Sequence, residues 1–253
     1  MFISEPVVEK LIELDEHIFL LKIKSPEIAD IIRPGQFVNI KVCNSNNPLL
    51  RRPFSVCDVE DDIFYVMFNI HGEGTKILSE KKKGDCLDIV GPLGNGFNLD
   101  GNFEKAVIVA GGMGVAPFPF FSKKISDGKS IVTFIGGRTE SEIVTYGLEN
   151  IFIATEDGSN GLKGNVIDLL KKNESHFIDQ NVKFFGCGPN PMLKALKEYC
   201  LLKNIDCEVS TECAMACGFG ICQGCPIEST TNSEKYLLVC KDGPVFNIKD
   251  VVL

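Results

Sequence analysis

Eleven cysteines punctuate the 253-residue chain, and eight of them fall between Cys187 and Cys240. Within that stretch Cys217, Cys222 and Cys225 read C-x4-C-x2-C, and fourteen residues separate Cys225 from Cys240. This is the spacing of plant-type 2Fe–2S centres, in which four thiolates serve two tetrahedral irons. Gly218, Gly220 and Gly224 let such a loop curl and bring amide hydrogens close to sulfur. A structural zinc site also takes four cysteines but is usually built from paired C-x2-C knuckles, and only Cys222–Cys225 supplies one. Cys213, just ahead of the loop, is read as a non-ligand. Cys43, Cys57 and Cys86 lie in apolar, strand-like runs and are expected to be buried small hydrophobes.

A second chemistry is written in glycine. Gly111-Gly112-Met113-Gly114-Val115-Ala116-Pro117 follows an apolar run and precedes a helical pattern. Glycines at such a turn let backbone amides approach a pyrophosphate. The turn departs from G-x-G-x-x-G by ending in proline. Cys187-Gly188-Pro189 closes a later strand in the same way, and ligands of open parallel sheets bind where the strands end, so both turns can face one crevice. Arginine is scarce: four of the 26 basic residues, two of them adjacent in Arg51-Arg52-Pro53-Phe54-Ser55. Arginine makes bidentate phosphate contacts that lysine does not, but on these residues alone the pair reads first as a solvated charged turn before a strand. His17, His71 and His176 share no motif, and Lys81-Lys82-Lys83 reads as a solvated helix end.

The elements that must position these residues fall into three zones. Residues 1–100 alternate apolar with polar over 36–42 and, in part, 63–70, with turn signals at 34–35, 44–48 and 71–74. Short punctuated strands predict a small antiparallel β-barrel. A helix is expected over 76–80, and Gly91-Pro92-Leu93-Gly94-Asn95-Gly96-Phe97 reads as an interdomain linker. Residues 101–210 alternate strands (105–110, 131–135, 151–155, 182–185, 207–209) with helices (115–126, 166–172, 191–203), which predicts an α/β domain with a parallel sheet. Residues 211–253 are too few for a core of their own, and a bound cluster would supply the missing cross-links.

Composition narrows the function classes. The chain is 44% hydrophobic and 24% charged, with net charge −8. That is globular composition without the basic face a nucleic-acid binder carries. The first residues have neither a basic start nor an apolar run, and the apolar stretch 106–121 is short and broken by glycine and proline, so no membrane span is expected. The expected location is the cytoplasm, where structural disulfides are rare.

Taken in order, Arg52-Pro53-Phe54-Ser55, Gly72-Glu73-Gly74-Thr75, Gly91-Pro92-Leu93-Gly94, the 111–117 turn and Cys187-Gly188-Pro189-Asn190-Pro191-Met192 resemble the ferredoxin reductase superfamily over nearly the whole chain. The segment from Glu212 to Phe246 is similar to that of the electron-transfer subunits of type B dihydroorotate dehydrogenases. The resemblance implies a flavin-binding barrel, a nicotinamide-nucleotide domain and a cluster domain, holding FAD, one 2Fe–2S cluster and NAD. It implies that Arg52, Pro53, Phe54 and Ser55, with Met67, Phe68 and Asn69, contact FAD, and that Gly74 and Thr75 reach its pyrophosphate. The family commonly has arginine where this chain has Asn69. Gly111, Gly112, Gly114, Pro117, Cys187, Gly188 and Pro189 then face NAD, and Cys217, Cys222, Cys225 and Cys240 hold iron. The implied partner is an FMN-containing, dihydroorotate-oxidising catalytic subunit, two of each forming a heterotetramer that makes orotate for pyrimidine synthesis. Diaphorase-type subunits of hydrogenases, sulfite reductases and ferredoxin:NAD(P) reductase complexes share much of this pattern and are the alternative reading. A zinc-stapled interaction module and a ferredoxin fusion without flavin are the readings from other classes.

Overall fold

The computed structural model describes residues 1–125, 128–177, 181–231 and 236–253. The first sheet is built from β1 (Phe2–Ser4), β2 (Val7–Asp15), β3 (Ile18–Lys24), β4 (Phe37–Lys41), β5 (Arg52–Glu60), β6 (Ile63–Asn69) and β7 (Asp88–Leu93), all antiparallel in the order β1-β7-β4-β5-β6-β3-β2. β1 and β2 are consecutive, and β2 also meets the segment before β7 through Val8 N–H to the Asp85 carbonyl at 2.9 Å. That contact closes the sheet into the predicted barrel, which removes its free edges. Val38, Ile40, Val56, Phe64 and Val66 point inward and fill it. Two short helices accompany the barrel, α1 (Pro26–Ala29) and α2 (Glu73–Ser79). Glu80 and the lysine run therefore lie just past α2, which starts three residues earlier than periodicity suggests.

The second sheet runs β11-β10-β9-β8-β12-β13-β16, from β8 (Lys105–Gly111), β9 (Ser130–Gly137), β10 (Ile151–Thr155), β11 (Leu162–Lys163), β12 (Val182–Cys187), β13 (Asp206–Ser210) and β16 (Val245–Asn247). Every pairing is parallel except β13 with β16. The crossover helices include α3 (Phe118–Lys124), α4 (Val166–Lys172) and α5 (Asn190–Lys203). A two-stranded ribbon, β14 (Pro226–Glu228) with β15 (Tyr236–Leu238), sits in the cysteine-rich zone. That zone thus lends β16 to the nucleotide-type sheet.

Three sequence expectations change. A single helix from 115 does not form: Gly112–Val115 is a turn of 3-10 helix closed by Ala116 N–H to the Met113 carbonyl at 3.0 Å, and α3 begins at Phe118. Pro117 and Pro119 lack the N–H groups that a continuous helix needs; the predicted end at Ser126 lies outside the described residues. The 91–97 segment is no free linker, since Gly91-Pro92-Leu93 completes β7 and Phe97 is buried, its ring 5.6 Å from that of Phe118. Of the scattered cysteines only Cys57 is buried; Cys43 is half-buried and Cys86 is exposed at the barrel seam.

The two sheets share a core in which Ile18, Leu20, Tyr65 and Met67 of the barrel meet Phe97, Phe118, Phe121 and Phe185. Lys123 of α3 reaches the buried Asp58 of β5 at 2.6 Å across this contact. The connecting segment is pinned by Lys183, 6% exposed, which donates to the Asn98 carbonyl at 3.0 Å and to Glu208 at 2.7 Å, while Glu208 accepts from Asn98 N–H at 2.8 Å. Removing Glu208 leaves Lys183 the Asn98 carbonyl and the exposed Asp206 carboxylate 3.9 Å away, and leaves Asn98 N–H without its acceptor. Glu208→Ala is therefore expected to destabilise the chain by about 1–3 kcal/mol, read from denaturant unfolding against wild type.

Candidate electron-transfer site

The parallel strands β8, β9, β10, β12 and β13 end at one face, and the barrel stands against that face. Between them lies a cleft of about 1350 Å³. Its floor is the predicted turn after β8, with Gly111, Gly112, Gly114 and Pro117, and the turn after β12, with Cys187, Gly188 and Pro189. The two turns touch: a Cβ on Gly114 would stand 2.2 Å from the Cys187 carbonyl oxygen, so no larger residue fits without moving the backbone. The barrel wall comes from Pro53, Phe54 and Ser55 of β5 and Met67, Phe68 and Asn69 of β6, with Thr75 of α2. Thr75 Oγ1 accepts His71 N–H at 2.8 Å, which ties the first turn of α2 to the end of β6.

Two predicted flavin contacts are absent from this lining. Arg52 donates to the Leu50 carbonyl at 2.6 Å, and its Nε stands 3.1 Å from the Cβ position of Gly74, next to Thr75 in the chain. Arg51, the other half of the arginine pair, makes a bidentate contact with Asp88 at 2.7 and 2.8 Å and locks β5 to β7.

The four cysteines of the motif are brought together two and two. Cys222 N–H points at Cys217 Sγ from 3.5 Å, and Cys225 and Cys240 have their sulfurs 3.1 Å apart, with Cys240 N–H 3.5 Å from Cys225 Sγ. Among the described residues, no three His, Cys, Asp or Glu side chains gather as a set for one metal ion. A two-iron core needs a pair of thiolates on each iron, and these pairs fit it. Burial works against a thiolate at Cys217, but the backbone N–H groups of Cys222, Phe219 and Ile221 outweigh it and bring the thiol down to about 6. Donors of that kind also stabilise the negative charge of a cluster. Burial and the neighbouring Cys225 push Cys240 up to about 12.

The pairs differ in exposure. Cys225 and Cys240 are buried with Phe37, Leu93, Val239 and Phe246, whereas Cys217 is half-buried and Cys222 exposed. Phe37, Cys213 and Met215 both pack in this buried cluster and line the cleft, so they bridge thiols and cleft. Asn39 holds the loop from below: it is fully buried on β4 and donates Nδ2 to the Cys217 carbonyl at 3.2 Å. Its register partner is Pro53, in the barrel wall of the cleft. Sequence reading missed Phe37 and Asn39. The available signal was a polar residue set on the same strand face as an aromatic one.

The iron–sulfur cluster binding domain of dihydroorotate dehydrogenase B matches residues 212–252. A dihydroorotate dehydrogenase B (NAD(+)) electron transfer subunit from Caldanaerobacter subterraneus subsp. tengcongensis is 40% identical over 223 residues, 87% of each chain. That from Bacillus pumilus is 36% identical over 250 residues, 95% of each. The chain belongs to the family of dihydroorotate dehydrogenase B electron transfer subunits. Its fold is similar to that of an NADH-dependent reduced ferredoxin-NADP oxidoreductase, with TM-score 0.83 and 29% identity, covering 98% of this chain and 90% of that one. The ferredoxin NADP+ reductase of Neisseria gonorrhoeae shares the fold at 17% identity, with TM-score 0.64 over 79% of this chain and 91% of that one.

In this electron transfer subunit Gly218 has φ +79°, and a Cβ there would meet Asn39 Nδ2 at 2.3 Å. A side chain in that conformation costs about 1–2 kcal/mol before the clash is counted. Gly218→Ala is expected to lower iron and acid-labile sulfide per chain while flavin binding persists, measured by metal analysis and the absorption spectrum.

Proposed function

We propose that this chain takes electrons from an FMN-containing, dihydroorotate-oxidising partner subunit and delivers them, by way of a 2Fe–2S cluster and FAD, to NAD+. The observation that carries the reading is the position of the thiol pairs: one buried beside a nucleotide-sized cleft, one at the surface of the same chain. A flavin in that cleft supplies the exchange between a hydride at nicotinamide and single electrons at the cluster.

The residues present fit these groups. Pro53, Phe54 and Ser55 with Met67, Phe68 and Asn69 offer the flavin an apolar wall with polar ends, and Thr75 stands at the α2 turn for its pyrophosphate. Arg52, whose Nε lies against Gly74 at the α2 turn, is proposed with Gly74 to contact the flavin's phosphates. Across the cleft, the 111–117 and 187–189 turns present backbone to the dinucleotide, and their mutual contact through Gly114 keeps the two turns in register. This part of the task is positioning: a hydride step needs the reacting atoms held close and dry. The thiol of Cys187 stays protonated, pushed up by burial, and serves as packing beside the nicotinamide end.

Cys217, Cys222, Cys225 and Cys240 are the proposed iron ligands. Phe219, 37% exposed, and Ile221, 76% exposed, project from the loop that carries the outer pair. Apolar side chains around an exposed redox loop suit docking of a second protein, which here would be the catalytic subunit in a heterotetramer of two of each. No helix among the described residues is long and apolar enough to cross a membrane; a cytoplasmic complex is proposed.

Cys222→Ser tests the order of the chain of carriers. In the assembled complex, dihydroorotate-dependent NADH formation is expected to fall to background, while NADH oxidation by an artificial dye acceptor is retained. Loss of both activities in a folded, FAD-loaded variant would overturn this order.

A further inference from the structure

The far end of the cleft carries a charged pair that neither the cluster nor the flavin uses. Arg138 leaves β9 where the sheet's second nucleotide strand ends, and its side chain is 77% exposed. It is nevertheless committed. Glu142, four residues on, accepts Arg138 Nε at 2.7 Å and Nη2 through Oε1, and takes the backbone N–H of Arg138 at 2.8 Å through Oε2. Glu156, just past β10, brings a second carboxylate close enough to act on Arg138, Asp157 N–H donates to the Arg138 carbonyl at 3.2 Å, Glu140 lies two residues on, and Asp168 and Lys171 of α4 line the same cleft. In open parallel sheets, this strand end is where the adenosine ribose of a dinucleotide sits: a carboxylate there receives the ribose hydroxyls, and an arginine receives a 2′-phosphate.

We propose that Glu142 sets the choice between the two nicotinamide dinucleotides by holding Arg138 away from a 2′-phosphate. The proposal rests on the reading of the cleft as the dinucleotide site. With Glu142 ionised, a phosphate arriving at the rim finds the Arg138 guanidinium already neutralised and Glu156 repelling it. A free ribose diol instead finds carboxylate acceptors. Once Glu142 loses its charge, Arg138 keeps its place at the strand end and its planar donor face is released. A phosphate then gains charge-assisted hydrogen bonds, which are among the stronger ones.

The test uses the flavin- and cluster-loaded full chain and its Glu142→Gln variant, which keeps an acceptor for the Arg138 backbone N–H. Calorimetric titration with adenosine 2′,5′-bisphosphate and with adenosine 5′-monophosphate reads the ribose end alone. The expected result is a gain of roughly 10-fold or more for the bisphosphate in E142Q. The monophosphate should change little, and the NADPH to NADH ratio of kcat/KM in dye reduction should rise in parallel. Arg138→Ala placed on E142Q should cancel the gain. Should E142Q not fold, Glu142→Ser frees Arg138 equally and carries the same expectation. A ratio unchanged in the charge-neutral variant, or a gain that survives loss of Arg138, overturns the proposal. A wild-type chain that binds neither nucleotide and leaves NADH unoxidised overturns the cleft reading itself, and the proposal with it.

Discussion

The nine-residue run from Cys217 to Cys225 leaves its larger apolar side chains, Phe219 and Ile221, exposed rather than packed in a core, so its shape must be held from outside. That support is one face of β4. Strand alternation sends Val38 and Ile40 into the barrel core, which leaves Phe37 and Asn39 on the outer face. Phe37 packs against the inner thiol pair, and the Asn39 amide holds the Cys217 carbonyl. Because β4 pairs with β5 through Asn39–Pro53 and Phe37–Ser55, the strand that supports the cysteine loop also fixes the barrel wall of the cleft. The placement of the loop relative to the cleft is thereby built into a single hydrogen-bonded ladder.

The cleft depends on a second constraint, that two sheets of different kind share one core. A parallel sheet ends all its strands at one face and leaves a crevice there, but the crevice becomes a closed site only if something stands over it. The aromatic cluster of Phe97, Phe118, Phe121 and Phe185, with Lys123 on Asp58, sets the barrel in that position. The Lys183–Glu208–Asn98 contact anchors the connection at the start of the strands, away from the cleft. Its burial serves the relative placement of the sheets and leaves the cleft free for ligands.

Electrostatics divides the site into regions of different character. At the cysteine loop, backbone amides favour charge on sulfur at Cys217. At Cys187, on the floor of the cleft, burial pushes the thiol up and favours its neutral form. At the β9–β10 end of the cleft, Glu142 and Glu156 line the rim and the one arginine among the described rim residues is spoken for. Each region is set by a few short contacts, and none requires the net charge of the whole chain.

The order of strands and helices, the two glycine turns and the cysteine spacing were legible in the sequence because each rests on local rules: periodicity, turn chemistry and ligand spacing. Those same rules failed where chain neighbours were not the deciding neighbours. Cys86 lies in an apolar run yet is exposed, because its strand edge is the barrel seam. Gly91 to Phe97 has the composition of a linker yet is strand and core, because Phe97 finds three aromatic partners from elsewhere in the chain. Arg51 and Arg52 are adjacent in sequence, and only folding brings Asp88 to the one and Gly74 to the other. The residue types that can bind iron, flavin and nucleotide were thus determined by the sequence itself. Which thiols pair, which stay exposed and what bridges them to the cleft were decided by tertiary packing, since burial and long-range contact are properties of the assembled sheets and not of any local run of residues.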